Sequence, residues 1–160
     1  MTQLQKALAN HAFFKRLDPQ FAEKAADYAS TVRFDENQYV FHRGEDANRF
    51  YLIQKGLITL GIDPKHHSQV DIQTVTDDEV LGWSWLIPPF VWQFDAHVTE
   101  PTTAIELDAV QLRKLFEIDH EMGYVLARRV LQVVSKRLQA TRIQFWDIYK
   151  MHYFLEHNVQ

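Results

Sequence analysis

Val80–Val98 reads VLGWSWLIPPFVWQFDAHV. Gly82 after two apolar residues marks a tight turn. Trp83-Ser84-Trp85 fits a short helical turn, and Pro88-Pro89 stiffens the loop that follows. From Ala96 the residues alternate as a strand. A segment of this make-up inside a β-rich domain is a candidate ligand cradle. The rest of the chain then reads as a barrel that holds the cradle and a long helix that closes over it.

Outward from the cradle, strands are predicted over Thr31–Phe34, Tyr39–His42, Arg49–Gln54, Leu57–Ile62, Val70–Val75, Ala96–Thr99 and Thr103–Leu107. Asp35-Glu36-Asn37, Arg43-Gly44-Glu45-Asp46, Lys55-Gly56 and Asp63-Pro64 supply the turns between them. This spacing predicts an antiparallel β-roll of jelly-roll type, mainly β within an α+β chain. Residues 1–29 form a helical lead-in, 30–108 the roll with its cradle at 80–98, and 109–160 the C-terminal helices, all as a single domain. In the lead-in, Thr2–Asn10 and Pro19–Ala29 are predicted helices. Leu4, Leu8 and Ala12 share one face, and Phe21, Ala25 and Tyr28 another. Asp18-Pro19 caps the second of these helices.

After Asp108 the period returns to 3.6. Ala109–Glu117 is predicted as a short helix, and Asp119 to about Glu156 as a long one. Leu131, Val134, Leu138, Thr141, Phe145, Ile148, His152 and Leu155 alternate by three and four, the a/d seam of a coiled coil. A helix of this length cannot bury that seam wholly on its own roll. A parallel homodimer is therefore expected, with Thr141 and His152 as polar positions that set register.

Composition narrows the function. The chain has 160 residues, 46% of them hydrophobic, and a net charge of −4. That argues for a folded core and against a strongly basic nucleic-acid surface. Cysteine is absent, which excludes disulfides, Cys-ligated clusters, zinc ribbons and a Cys nucleophile. MTQLQKALANHAFF lacks the apolar run of a signal peptide, and no stretch approaches the ~20 apolar residues of a spanning helix. A cytoplasmic protein without membrane attachment is expected.

Helix, roll, cradle, short helix and long helix in that order resemble the cyclic-nucleotide-binding domain of the CRP/FNR type. Arg43-Gly44-Glu45-Asp46-Ala47 with Phe50-Tyr51-Leu52-Ile53 looks like that family's G-[DE]-x-A turn and next strand. Gln54-Lys55-Gly56-Leu57-Ile58 looks like its [EK]-G-x-[VI] turn. Val80-Leu81-Gly82 looks like the start of its phosphate-binding cassette, and Phe116 through Arg142 resembles its last two helices. The family's transcription factors carry a helix-turn-helix domain after the long helix. This chain ends at Gln160, so a stand-alone module is expected.

The resemblance implies a cassette glutamate on the ribose 2′-hydroxyl and an arginine on the cyclic phosphate. Here Trp83 stands at the glutamate position and Phe94 at the arginine position, with Asp95 one step on. A buried phosphodiester without a charge-assisted partner loses about 2–5 kcal/mol, and a carboxylate beside it adds repulsion. No Arg or Lys lies between Lys65 and Arg113. Usual binding of cAMP or cGMP is therefore not expected. Gly82, Trp83, Ser84, Trp85, Phe94, Asp95 and Ala96 remain the candidate ligand-binding residues, with Arg137 and Thr141 of the long helix as weaker candidates. Trp83, Trp85, Phe90, Trp92 and Phe94 either fill a collapsed pocket or line an apolar one for an amine, a cation or a neutral planar effector.

The expectation is a non-enzymatic ligand-sensing or regulatory module with no cofactor and an unknown small-molecule effector or protein partner. One alternative is a transcription-regulator-like protein that contacts DNA or a partner through Arg128, Arg129, Lys136, Arg137 and Arg142. Exposed helix charges more often make a solvated face. A cupin-like metalloenzyme is a second alternative, but it needs a His-x-His pair, whereas His66-His67 are adjacent. No Walker loop or G-x-G-x-x-G is present.

Overall fold

The computed structural model describes residues 1–63 and 70–158, so His66-His67 and the hairpin tip expected around them lie outside the described residues. The chain divides into two compact units, Met1–Val125 and Leu126–Gln160.

In chain order the elements are α1 (Gln3–Asn10), α2 (Pro19–Ala26), β1 (Ala29–Phe34), β2 (Tyr39–Phe41), β3 (Arg49–Ile62), β4 (Val70–Val75), β5 (Val80–Leu81), β6 (Asp95–Asp108), α3 (Ala109–Ile118) and α4 (His120–His157). The strands form an antiparallel roll in the order β1-β6-β3-β4, with β2 on β6 and β5 on β3. The long pairing of β3 with β6 runs from Arg49 opposite Asp108 to Gly61 opposite Asp95 and forms the spine.

The expected breaks within β3 and β6 are bulges rather than ends. Arg49–Gln54 and Leu57–Ile62 join through Lys55-Gly56, and Ala96–Thr99 joins Thr103–Leu107 through Glu100-Pro101-Thr102. The ladder shifts register between Ile53 and Ile58, and Pro101 lies at that shift, where no ladder N–H is required of it. Gly56 has φ of 135°, and a Cβ there would overlap Thr102. Only glycine lets the two strands stay paired through the kink.

Helix ends follow local chemistry. Thr2 and Gln5 form a capping box, Asp18 caps α2 before Pro19, and Asp108 caps α3. The Asp119 carboxylate accepts from the Met122 N–H at 3.0 Å and from Lys24 Nζ at 2.5 Å. These bonds, the lysine first, hold its carboxyl below the usual range. Both lead-in helices are shorter than their apolar spacing suggests. Ala12 lies beyond α1 and is exposed, and Tyr28 lies beyond α2. Phe13, Phe14 and the His11 side chain enter the core instead. Phe13 meets Phe14 and Phe50 edge to face at 5.3 and 5.1 Å, a favoured aromatic geometry.

In the second unit α4 continues without a proline. Leu131, Leu138, Phe145, Ile148 and Leu155 are exposed on the single chain, as are Thr141 and His152, while Val134 is partly covered. No described helix is long and apolar enough to cross a membrane.

Candidate functional site

The Arg43–Ala47 turn and the end of the cassette hold each other by backbone. The Gly44 N–H donates to the Trp92 carbonyl at 2.9 Å, and the Trp92 N–H donates to the Glu45 carbonyl at 2.9 Å. The Ala47 N–H donates to the Phe90 carbonyl at 2.7 Å, and Asp46 and Val91 bridge antiparallel. Both backbone polar groups of Trp92 are thereby fixed, and its side chain is aimed into the roll.

There the indole lies on Phe41, with ring centroids 3.8 Å apart and planes 4° from parallel. Gly82, at φ of 76°, stands against the six-membered ring of the indole: a Cβ on Gly82 would come 2.5 Å from Trp92 Cζ3. What remains open is a cavity of about 60 Å³ lined by Phe41, Leu60, Gln73, Gly82, Trp83, Ser84, Trp92, Gln93 and Phe94. None of these side chains carries a charge. Drug-sized ligands occupy clefts of about 300–1,000 Å³.

The first Arg or Lys after the cassette in sequence serves the loop itself. Arg113 of α3 donates from Nη1 to the Trp85 carbonyl at 2.5 Å, and its guanidinium sits 4.0 Å from the centre of the Phe90 ring. This hydrogen bond and cation–π contact tie the cassette to α3. Asp95 is likewise engaged locally. Its Oδ1 accepts from the Arg43 N–H at 2.8 Å and lies 3.5 Å from His42 Nδ1.

Of the candidate ligand-binding residues, Gly82, Trp83, Ser84 and Phe94 come together around the small cavity. Trp85 does not line it. It is fully buried, stacked on Phe50 at 4.5 Å, and its Nε1 has no hydrogen-bond partner among the described residues. Ala96 is buried in β6 opposite Leu60. Arg137 and Thr141 belong to the second unit, where the Thr141 hydroxyl donates to the Arg137 carbonyl at 2.9 Å. Phe41, Leu60, Gln73 and Gln93 complete the cavity and are absent from the sequence-derived set, whereas Trp92 is one of the five aromatics expected to fill a pocket or line one. Phe41 stands three residues before the Gly44 turn, but only the pairing of Trp92 with Gly44 and Glu45 shows that the two rings meet. Among the described residues no three His, Asp or Glu side chains converge to hold a metal.

Comparison with known proteins agrees with this architecture. The family model for the cyclic nucleotide-binding domain matches residues 31–119. A candidate cyclic nucleotide-binding protein from Geobacter metallireducens GS-15 superposes with a TM-score of 0.76 at 22% identity, over 86% of this chain and 99% of that one. A cyclic nucleotide-binding domain from Methylobacillus flagellatus KT superposes with a TM-score of 0.74 at 14% identity, over 90% and 81% of the two chains. The sensor domain of a transcriptional regulator from Pseudomonas aeruginosa gives 0.66 at 15% identity, over 84% and 91%. None of the curated proteins compared matches. With more than half of its length matched by the family model, the chain belongs to the cyclic nucleotide-binding domain family.

Proposed function

We propose that this chain is a non-enzymatic regulatory module in which the cyclic-nucleotide cassette is filled by the protein's own side chains. The observation that carries this reading is Trp92, which covers Gly82 and leaves a cavity of about 60 Å³ without a charged group. Among the described residues that line the cavity, a cyclic nucleotide meets no cation for its phosphate and no carboxylate for its ribose, and the indole stands in its way. The likeness to a regulator's sensor domain supports a regulatory role.

Output runs through α4. The exposed Leu131–Leu155 seam pairs in parallel with a second copy of the chain. Signalling then consists of a shift in the position or pairing of this helix, which requires a binding partner that prefers one arrangement. A second reading rests on Ser84, Gln73 and Gln93, three neutral polar side chains around the apolar cavity. It assigns the site to a small, neutral, planar effector that displaces Trp92.

Differential scanning fluorimetry against cyclic nucleotides and neutral aromatic metabolites separates these readings. No shift with any of them supports the filled cassette. A shift with a neutral planar compound alone selects the effector reading, and a shift with cAMP or cGMP rejects both.

A further inference from the structure

The seam of α4 is apolar except at Thr141 and His152. The Thr141 hydroxyl is satisfied one turn back, where it donates to the Arg137 carbonyl at 2.9 Å. His152 has a different partner. Its Nε2 lies 3.0 Å from Oε1 of Glu156, one turn on, and both side chains are exposed on the single chain. Ile148 precedes His152 in the seam and Leu155 follows it. An imidazole layer between two apolar layers costs stability unless its ring nitrogens find partners.

In a parallel pair of helices, position a of one copy faces position a of the other across the twofold axis, and position e lies beside a. His152 then meets His152 of the second copy, and each ring has Glu156 of its own helix beside it. One chain brings together two donor atoms, and among the described residues no single chain gathers three His, Asp or Glu side chains. Two chains bring four, two imidazole nitrogens and two carboxylate oxygens. Zinc holds such atoms at about 2.0–2.2 Å, which sets neighbouring ligand atoms about 2.9–3.5 Å apart. The 3.0 Å between Nε2 and Oε1 is one such edge, and the second copy supplies the opposite edge.

We propose that this layer is a metal site completed only by dimerisation: one divalent ion of the zinc type on the twofold axis, bound by His152 and Glu156 of both copies. The inference rests on the parallel seam of the preceding section and names a ligand for it. Imidazole with carboxylate is a donor set that suits zinc. Residues one turn apart share a helix face, so both side chains of one helix reach a single ion. Because half of the ligands come from each chain, the ion binds the pair and not the single helix, and so favours association. The cavity in the cassette is lined by no charged group. The seam, not the cassette, is where this module takes a small charged effector.

Sedimentation equilibrium of the full chain in EDTA, and again in zinc chloride, tests this. At free zinc about ten times its dissociation constant, wild-type self-association is expected to tighten by about tenfold, with one zinc retained per two chains. His152→Leu makes the layer apolar, so this variant dimerises in EDTA and gains nothing from zinc. Glu156→Gln keeps the shape of the side chain and loses most of the gain. A wild-type dimer of equal strength in EDTA and zinc overturns the metal site and leaves the seam standing. A monomer in both overturns the seam and the site together. Zinc-driven association that persists in His152→Leu, or that grows beyond the dimer, belongs to other side chains and overturns the proposal.

Discussion

Trp92 lies flat on Phe41, with ring centroids 3.8 Å apart, and covers Gly82 with the edge of its six-membered ring. The loop that borders the small cavity thus also supplies the indole that narrows it. Two backbone hydrogen bonds to Gly44 and Glu45 keep the indole there.

Truncating Trp92 should be costly. Trp92→Ala removes a buried indole and leaves a cavity between Phe41 and Gly82, for an expected loss of about 3–5 kcal/mol. The thermal midpoint should fall by about 10 °C, taking 2–4 °C per kcal/mol at this chain length. A drop of a degree or two would show that the indole is not packed in the roll.

Two glycines separate backbone strain from packing. Gly44 and Gly82 both have positive φ, 89° and 76°. A Cβ at Gly44 meets nothing within 4 Å, whereas at Gly82 it meets Trp92. Gly44→Ala should cost about 1 kcal/mol, the left-handed penalty alone, and Gly82→Ala about 1–3 kcal/mol more. Equal losses in urea denaturation would contradict the position of Trp92.

Strand positions were legible because polar and apolar residues alternate and turn residues punctuate them. The glycine turns Gly44-Glu45-Asp46-Ala47 and Lys55-Gly56 pointed to the family fold. What alternation does not show is whether a turn residue ends a strand or bulges it. Gly56 and Pro101 read as ends and proved to be the two sides of one kink. At the site, the neutral character of the cassette was legible at Trp83 and Phe94. Trp92 was legible as one of five aromatics that either fill a pocket or line it, but its stacking on Phe41 was not, because the two are far apart in sequence and meet only through long-range pairing. Likewise, Trp85 reads as part of the cradle, yet its stacking on Phe50 places it in the core.

His11 makes stability depend on pH. Its Nε2–H donates to the Ile53 carbonyl at 3.0 Å, and its Nδ1 accepts from the Phe13 N–H at 3.2 Å. These bonds require the neutral ring. Burial lowers its pKa below 6.5, although the Ile53 bond and the Asp78 charge partly oppose this. As pH falls through 6.5 the unfolded chain takes up a proton that the folded chain refuses, so stability declines until the folded pKa is passed. Above 6.5 the contribution is complete. In urea titrations at successive pH values His11→Gln should show a smaller loss between pH 7 and 5 than the wild type, and an equal loss would contradict this role.

The seam predicts a simple change in mass. Leu138→Glu places a carboxylate in the proposed seam between two copies of α4, and sedimentation should then report a monomer. Because Leu138 is exposed on the single chain, the roll's own stability should change by less than about 0.5 kcal/mol. Unaltered association would show that the seam is not the contact.

The central claim is that the cassette no longer admits a cyclic nucleotide. Isothermal titration calorimetry of the full chain with cAMP, and separately with cGMP, at millimolar ligand and low salt tests it most directly. The expected result is heat of dilution alone. Saturable one-to-one binding at micromolar affinity, lost on substitution of Ser84 or Gln93, would contradict it.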